Sequence, residues 1–270
     1  LTQRCVIAGI RRGQAEVTGG SVDNLKLLAK GDADLGLTTA DSGYDAALGE
    51  SVYKDVGKVP ACTLMNLYQS FIHVVTLDGT GVNDIADMKG KRISVGAPKS
   101  GTELNARAIL KAAGLAYSDF AKVEYLPFGE SVELMKNRQL DVTLQSAGLG
   151  VSSIRDLATS VKIVVVPVPA EVVAKVGDAA YQPAVIPANT YDGQTADVAT
   201  VAIRNFLVSH TGVSSDDAYI LTKSLFENLP TMVAAHNAAK AIQRDTAMQG
   251  TTVPFHPGAE KYYREAGVLK

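Results

Sequence analysis

Apolar and polar positions along this chain change rhythm repeatedly, from the period of a strand to the period of a helix. The clearest change falls in Glu16–Leu28. There Val17 and Thr18 give way to Gly19, Gly20 and Ser21, after which Val22, Leu25 and Leu28 recur at helical spacing. The pattern predicts a strand around Ala15–Thr18, a tight glycine turn, and a helix capped by Ser21 that stops near Gly31. Ahead of it, Leu1–Cys5 reads as the close of a helix. Behind it come a strand at Asp34–Thr38, a helix at Thr39–Leu48 stopped by Gly49, and extended runs at Ala61–Tyr68 and Phe71–Leu77. Turn residues at Asp78–Gly81 break the pattern.

The middle of the chain is more regular. A short helical turn at Ile85–Lys91 precedes a strand at Arg92–Val95, the loop Gly96–Glu103, and a helix running to Ala113. Val123–Leu126, Asp141–Gln145 and Lys162–Val166 read as strands, with helices at Ser131–Asn137 and Val151–Ala158 between them. This alternation predicts a parallel sheet flanked by helices. After Pro187 the style changes. Asn189–Gly193 is loop-like, Val198–Val208 is a long extended run, and Asp216–Phe226, a broken Met232–Met248 and Ala259–Ala266 read as helices. The long runs Phe71–Leu77 and Val198–Val208 read as crossings between two lobes. The first lobe is then discontinuous (residues 1–80 with 198–270), and the second is residues 81–197.

Composition agrees with this plan. A chain of 270 residues with 46% hydrophobic and 20% charged residues has the content of a globular protein with more than one core. A net charge of −2 offers no basic field for nucleic acid. The longest apolar runs are too short to cross a bilayer. Cys5 and Cys62, the two cysteines, exclude a disulfide-dense scaffold; each reads as a buried thiol.

Four strand-to-helix turns carry the candidate chemistry: Gly19–Ser21, Thr39–Tyr44, Gly96–Glu103 and Gln145–Gly148. Glycines admit a ligand close to bare backbone, and the first amides of a helix are unpaired donors with partial positive charge. Such a turn holds an anion without lysine or arginine. Ser100 and Glu103 stand in the spacing of a capping box, so Ser100 should begin a helix. A phosphate loop needs lysine and then serine or threonine after its second glycine, whereas Gly101 is followed by Thr102 and Glu103. All four turns follow predicted strands, the end at which open α/β sheets bind ligands.

Enzyme signals are poor. His73, His210, His236 and His256 form no metal-spaced pair, and no serine elbow occurs. His73 lies in an apolar strand and reads as a satisfied core histidine. His236 and His256 fall in polar, surface-like contexts. Tyr262-Tyr263 beside Arg264 fits a terminal amphipathic helix. No cofactor or metal is expected.

Several motifs together resemble one family. Val17-Thr-Gly-Gly-Ser-Val-Asp-Asn-Leu25, Gly31-Asp-Ala-Asp-Leu35, Asp87-Met-Lys-Gly-Lys-Arg-Ile-Ser94 running on to Arg107, Pro183–Tyr191 and His256–Gly267 are similar to the TAXI group of solute-binding receptors. These serve tripartite ATP-independent periplasmic (TRAP) transporters. The resemblance implies an α/β, bilobal periplasmic-binding-protein type II fold, two doubly wound lobes joined by two crossover strands. It implies a periplasmic receptor that closes over a small carboxylate or amino acid, glutamate- or 2-oxoglutarate-like, and delivers it to an ion-gradient-driven TRAP permease. Mapped onto this chain, it implies a pocket formed by Gly20, Ser21, Thr39, Tyr44, Ser100, Gly101, Thr102, Gln145 and Ser146. It further implies about 30 residues of strand, glycine-rich loop and helix ahead of Leu1, together with an export signal. Two rival readings remain: an enzyme on the same fold, similar to thiamine-pyrimidine synthases, and a truncated remnant unable to bind.

Overall fold

The computed structural model describes residues 4–6, 12–235 and 237–270. In chain order the elements are β1 Arg4–Val6, β2 Arg12–Gln14, α1 Ser21–Lys30, β3 Leu35–Thr39, α2 Ala40–Leu48 and β4 Ala61–Leu77. Then follow β5 Arg92–Ser94, α3 Gly101–Ala112, β6 Lys122–Glu124, α4 Phe128–Lys136, β7 Val142–Ala147 and α5 Ser152–Ser160. The chain closes with β8 Ile163–Val166, α6 Ala170–Val176, β9 Gln182–Ile186, β10 Val198–His210, α7 Ser215–Glu227, α8 Leu229–Ala235 and α9 Pro257–Glu265. It divides into two compact units, Leu1–Tyr68 with Arg204–Lys270, and Gln69–Ile203. The long strands β4 and β10 belong to both.

In the first unit, α1 and α2 flank β3 through turns closed by left-handed glycines, Gly31 at φ 74° and Gly49 at φ 71°. A Cβ at Gly49 would meet the Gly57 backbone at 2.8 Å, so this turn requires glycine. β3 pairs antiparallel with Asn205–Ser209 of β10. A second cluster gathers Leu64, Met65 and Leu67 of β4 with Phe226, Ala259, Tyr262 and Tyr263. Each large side chain buried there is worth about 1.5–3 kcal/mol. The Tyr263 hydroxyl donates to the Leu64 carbonyl at 2.9 Å, which lets a polar ring end sit in the core.

The second unit is a mixed sheet. β5 runs parallel to β6 and to β7, while β4 is antiparallel to β7 and β8, and β9 is antiparallel to β10. Its core collects Val75, Val132, Met135, Leu140, Ile154, Leu157, Ile186 and Tyr191.

Several expectations need correction. The sheet is not parallel throughout: β4 runs antiparallel to β7 and β8, and β10 to β3 and β9, and hydrophobic period carries no information on strand direction. Ala61–Tyr68 and Phe71–Leu77 form one strand of 17 residues, because Gln69 and Ser70 keep extended backbone between them. Residues 15–18 adopt no regular structure; the strand character lies instead in β1 and β2, which pair antiparallel. Helix α6 and strand β9 were not foreseen.

Candidate functional site

The first unit brings two of the sequence-nominated turns together. Gly20 takes φ 124° and ψ −151°, a region open only to glycine, and this residue caps α1. Ser21 is therefore the first helical residue and not the cap expected of it. Its hydroxyl oxygen accepts from the Thr39 backbone N–H at 3.2 Å and lies 3.4 Å from the Thr39 hydroxyl. Both residues are buried. Thr39 in turn begins α2, so Ser21 and Thr39 weld two helix starts at one end of β3. The loop before α1 is internally braced: Gly19 N–H donates to the Asp23 carboxylate and Gly20 N–H to the Thr18 hydroxyl, both at 3.2 Å. The N–H groups of Ser21 and Val22 have no acceptor among the described residues. Tyr44 stands on α2 with 48% of its surface exposed and makes no hydrogen bond among them.

The second unit repeats the arrangement on a different scaffold. Ser100, in extended backbone, caps α3 and accepts from Glu103 N–H at 3.1 Å. Its own hydroxyl donates to the Ala97 carbonyl at 2.6 Å. Glu103 does not complete the capping box. Its buried carboxylate instead takes the Arg107 guanidinium at 2.7 Å and the Tyr117 hydroxyl at 2.9 Å. Gly96, at φ 95°, folds against the helix start so closely that a Cβ would stand 2.6 Å from the Thr102 methyl. Gly101 and Thr102 N–H groups have no acceptor among the described residues. Ser100, Gly101 and Thr102 are all buried.

Gln145 and Ser146 lie at the end of β7. The Gln145 side chain is fully buried and already occupied: its carbonyl oxygen accepts from the Ser153 hydroxyl at 2.6 Å, and its amide faces Thr143 at 3.5 Å. The Ser146 hydroxyl is buried with no partner among the described residues. Under Gln145, the His73 ring spans from the Gln145 carbonyl (Nδ1, 3.3 Å) to the Tyr191 hydroxyl (Nε2, 2.8 Å). Burial lowers the His73 pKa to about 4, so the ring is neutral, with Nδ1–H donating to the carbonyl and Nε2 accepting from Tyr191. Gly150 N–H donates to the same Tyr191 oxygen at 3.2 Å, and burial pushes the tyrosine pKa up to about 12. Sequence reading missed Tyr191 and Ser153 as braces of this turn. Tyr191 closes one of the quoted motifs, yet its partner is distant in sequence.

The described histidines are committed within their own units. His73 is enclosed as above. His256 is buried, not surface-like: Nδ1 accepts from Gly258 N–H at the start of α9, and Nε2 donates to the Val213 carbonyl at 3.0 Å. His210 Nδ1 accepts from Gly212 N–H, with Nε2 at 3.6 Å from Asp34. His236 lies outside the described residues. Cys62 is a buried free thiol whose pKa burial raises; the side chain of Cys5 lies outside the description. No group of metal-ligating side chains and no membrane-length apolar helix occurs among the described residues.

A family model described as the NMT1-like family matches residues 7–267, nearly the whole chain. This chain belongs to the NMT1-like family. Among solved structures, the NMT1-like chain is similar to PhnD1 of Prochlorococcus marinus in complex with methylphosphonate, at 11% identity and a TM-score of 0.50, covering 91% of this chain and 82% of that one. It is also similar to the alkanesulfonate-binding protein SsuA of Xanthomonas axonopodis pv. citri (15% identity, TM-score 0.46, 92% and 71% covered). Against the periplasmic aliphatic sulphonate binding protein SsuA of Escherichia coli the values are 12% and 0.40, with 80% of this chain covered. The NMT1-like chain spans only 56% of that protein's length. At these identities the likeness shows the fold: the α/β, bilobal architecture of periplasmic binding proteins, with two strands passing through both units.

Proposed function

We propose that this protein is an extracytoplasmic solute receptor for a small carboxylate. The observation that carries the reading is the pair of prepared helix starts. Each unit has a glycine at positive φ, a buried serine at the first turn, and two backbone N–H groups lacking an acceptor among the described residues: Ser21 and Val22 on α1, Gly101 and Thr102 on α3. Unpaired amides at a positive helix end favour a negatively charged group. We assign Gly20, Ser21, Thr39, Ser100, Gly101, Thr102 and Ser146 to the ligand, with Tyr44 as an exposed side chain able to order upon binding. Gln145 is assigned to the turn's frame, given its buried and occupied amide.

The sequence resemblance supports a TRAP-type permease as the partner, a periplasmic location, and glutamate- or 2-oxoglutarate-like acids as ligands. The commitment of the described histidines to structural hydrogen bonds speaks for binding over turnover. Relatives by fold carry phosphonates and sulfonates, so the test must include them. A thermal-shift screen of dicarboxylates, amino acids, alkanesulfonates and methylphosphonate reads the class directly. A ligand at a hundredfold excess over its Kd stabilises the folded state by about 2.7 kcal/mol. A shift with the carboxylates supports the reading. Shifts confined to sulfonates or phosphonates replace the ligand class, and no shift with any acid overturns the receptor.

A further inference from the structure

Helices α4 and α5, both within the second unit, flank an open groove of about 730 Å³ that no residue assigned to the ligand lines. Its floor is aliphatic: Val132 is fully buried, and Leu126 and Leu134 are half-buried. Its rim is acidic, with Glu130, Glu133 and Asp156 all exposed. Lys136 bridges Glu133 at 2.9 Å and Asp156 at 2.6 Å, whereas Glu130 has no ion pair among the described residues. The neighbouring Arg155 rests its head group against Gly150 and lies outside the lining. Three carboxylates facing one ammonium leave the rim negative. Gly129 keeps the groove open. It is the second residue of α4, its φ is not positive, and a Cβ built on it would meet no atom within 4 Å. Neither backbone nor packing calls for glycine here, and a helix is ordinarily more stable with alanine in its place.

We infer that the α4–α5 groove docks a basic amphipathic helix of the membrane component that receives the solute. An aliphatic trough takes the apolar face of such a helix, and the sign of the rim requires lysine or arginine on its flanks. A small polar solute finds little to orient it, because the hydroxyl in the lining, Ser153, is already given to the Gln145 side chain at 2.6 Å. That bond also joins the groove to the turn carrying Ser146, so a helix seated here lies next to the support of a ligand-bearing turn. The naming of the membrane component rests on the receptor reading above. The groove's own chemistry calls for the basic helix.

Fluorescence anisotropy of the full chain with a labelled amphipathic peptide of leucine and lysine tests the groove, with a leucine and glutamate peptide as its control. The basic peptide should bind, more weakly as salt is raised, and the acidic one should not. Gly129→Leu, which fills the groove, should weaken the basic peptide at least about 10-fold. Glu130→Gln with Glu133→Gln should weaken it about 3- to 10-fold. Melting temperature and affinity for the carboxylate should not fall in Gly129→Leu, since the new side chain meets no neighbour. Cells carrying Gly129→Leu should nonetheless take up the carboxylate more slowly. No peptide binding, equal binding of both peptides, or binding that neither variant alters overturns the docking site. So does self-association abolished by Gly129→Leu, which gives the groove to a second copy of the chain. Unchanged uptake overturns the membrane component as its occupant and leaves the receptor reading standing. Wild-type protein that binds the basic peptide but no anion overturns the receptor reading and, with it, the partner named here.

Discussion

The Tyr191 hydroxyl stands 2.8 Å from Nε2 of His73, 118 residues earlier in the chain, and their rings meet edge to face at 5.5 Å between centroids. That contact fastens β4 to the loop before β10 and, through Gly150, to the turn after β7. Both residues are buried, so each hydrogen bond lost here leaves a polar atom stranded.

Tyr191→Phe removes the donor to His73 Nε2 and the acceptor for Gly150 N–H in one step. The expected cost is about 1–3 kcal/mol, read as a lower urea midpoint at unchanged slope. An unaltered midpoint would show that water replaces both bonds. The turn should also loosen, raising hydrogen exchange at Gly150 while α3 amides stay protected.

His73 gives the stability a defined pH dependence. Its folded pKa, lowered to about 4 by burial, lies below the ordinary 6.5, so the unfolded chain takes up the proton first. The stabilisation is complete above pH 6.5 and is lost as pH falls toward 4, by about 3 kcal/mol in total. Urea unfolding at pH 7.0, 6.0 and 5.0 should show this slope, and His73→Gln should flatten it. An identical slope in the variant would place the titration elsewhere.

Ser100→Ala deletes the cap of α3 and should cost about 1 kcal/mol of stability. Ser100→Phe sets a ring beside the unpaired Gly101 and Thr102 N–H groups, so it should abolish the thermal shift caused by ligand while the unliganded protein still folds. Full ligand response in Ser100→Phe would remove the α3 start from the binding site.

Gly258→Ala should be more damaging than any of these. A methyl there would sit 2.0 Å from the Ser215 carbonyl oxygen and 2.8 Å from Tyr219 N, where α9 crosses α7. Neither is the end of a flexible side chain, so the helices must separate. The expected loss is about 1–3 kcal/mol or more, measured by chemical denaturation. Near-neutral behaviour would mean that this crossing can shift without cost.

The helix starts are legible in the sequence, because glycine, serine and an apolar repeat stand within a few residues of one another. Ser100 caps its helix as its local spacing implies. Ser21 does not: its hydroxyl is drawn to Thr39, 18 residues away, and Gly20 takes the cap. His256 illustrates the same limit, since a polar neighbourhood in sequence became a buried cap once Val213 was placed against it.

Periodicity and turn chemistry thus determined most of the helices and many of the strands, and which loops could present free amides at a helix start. These are local properties, decided by a residue and its near neighbours. Strand direction, the occupation of Gln145 and the neutral His73 held by Tyr191 were decided only by tertiary structure. Each depends on atoms brought together across long stretches of chain, and side-chain type alone does not state which partner burial will supply.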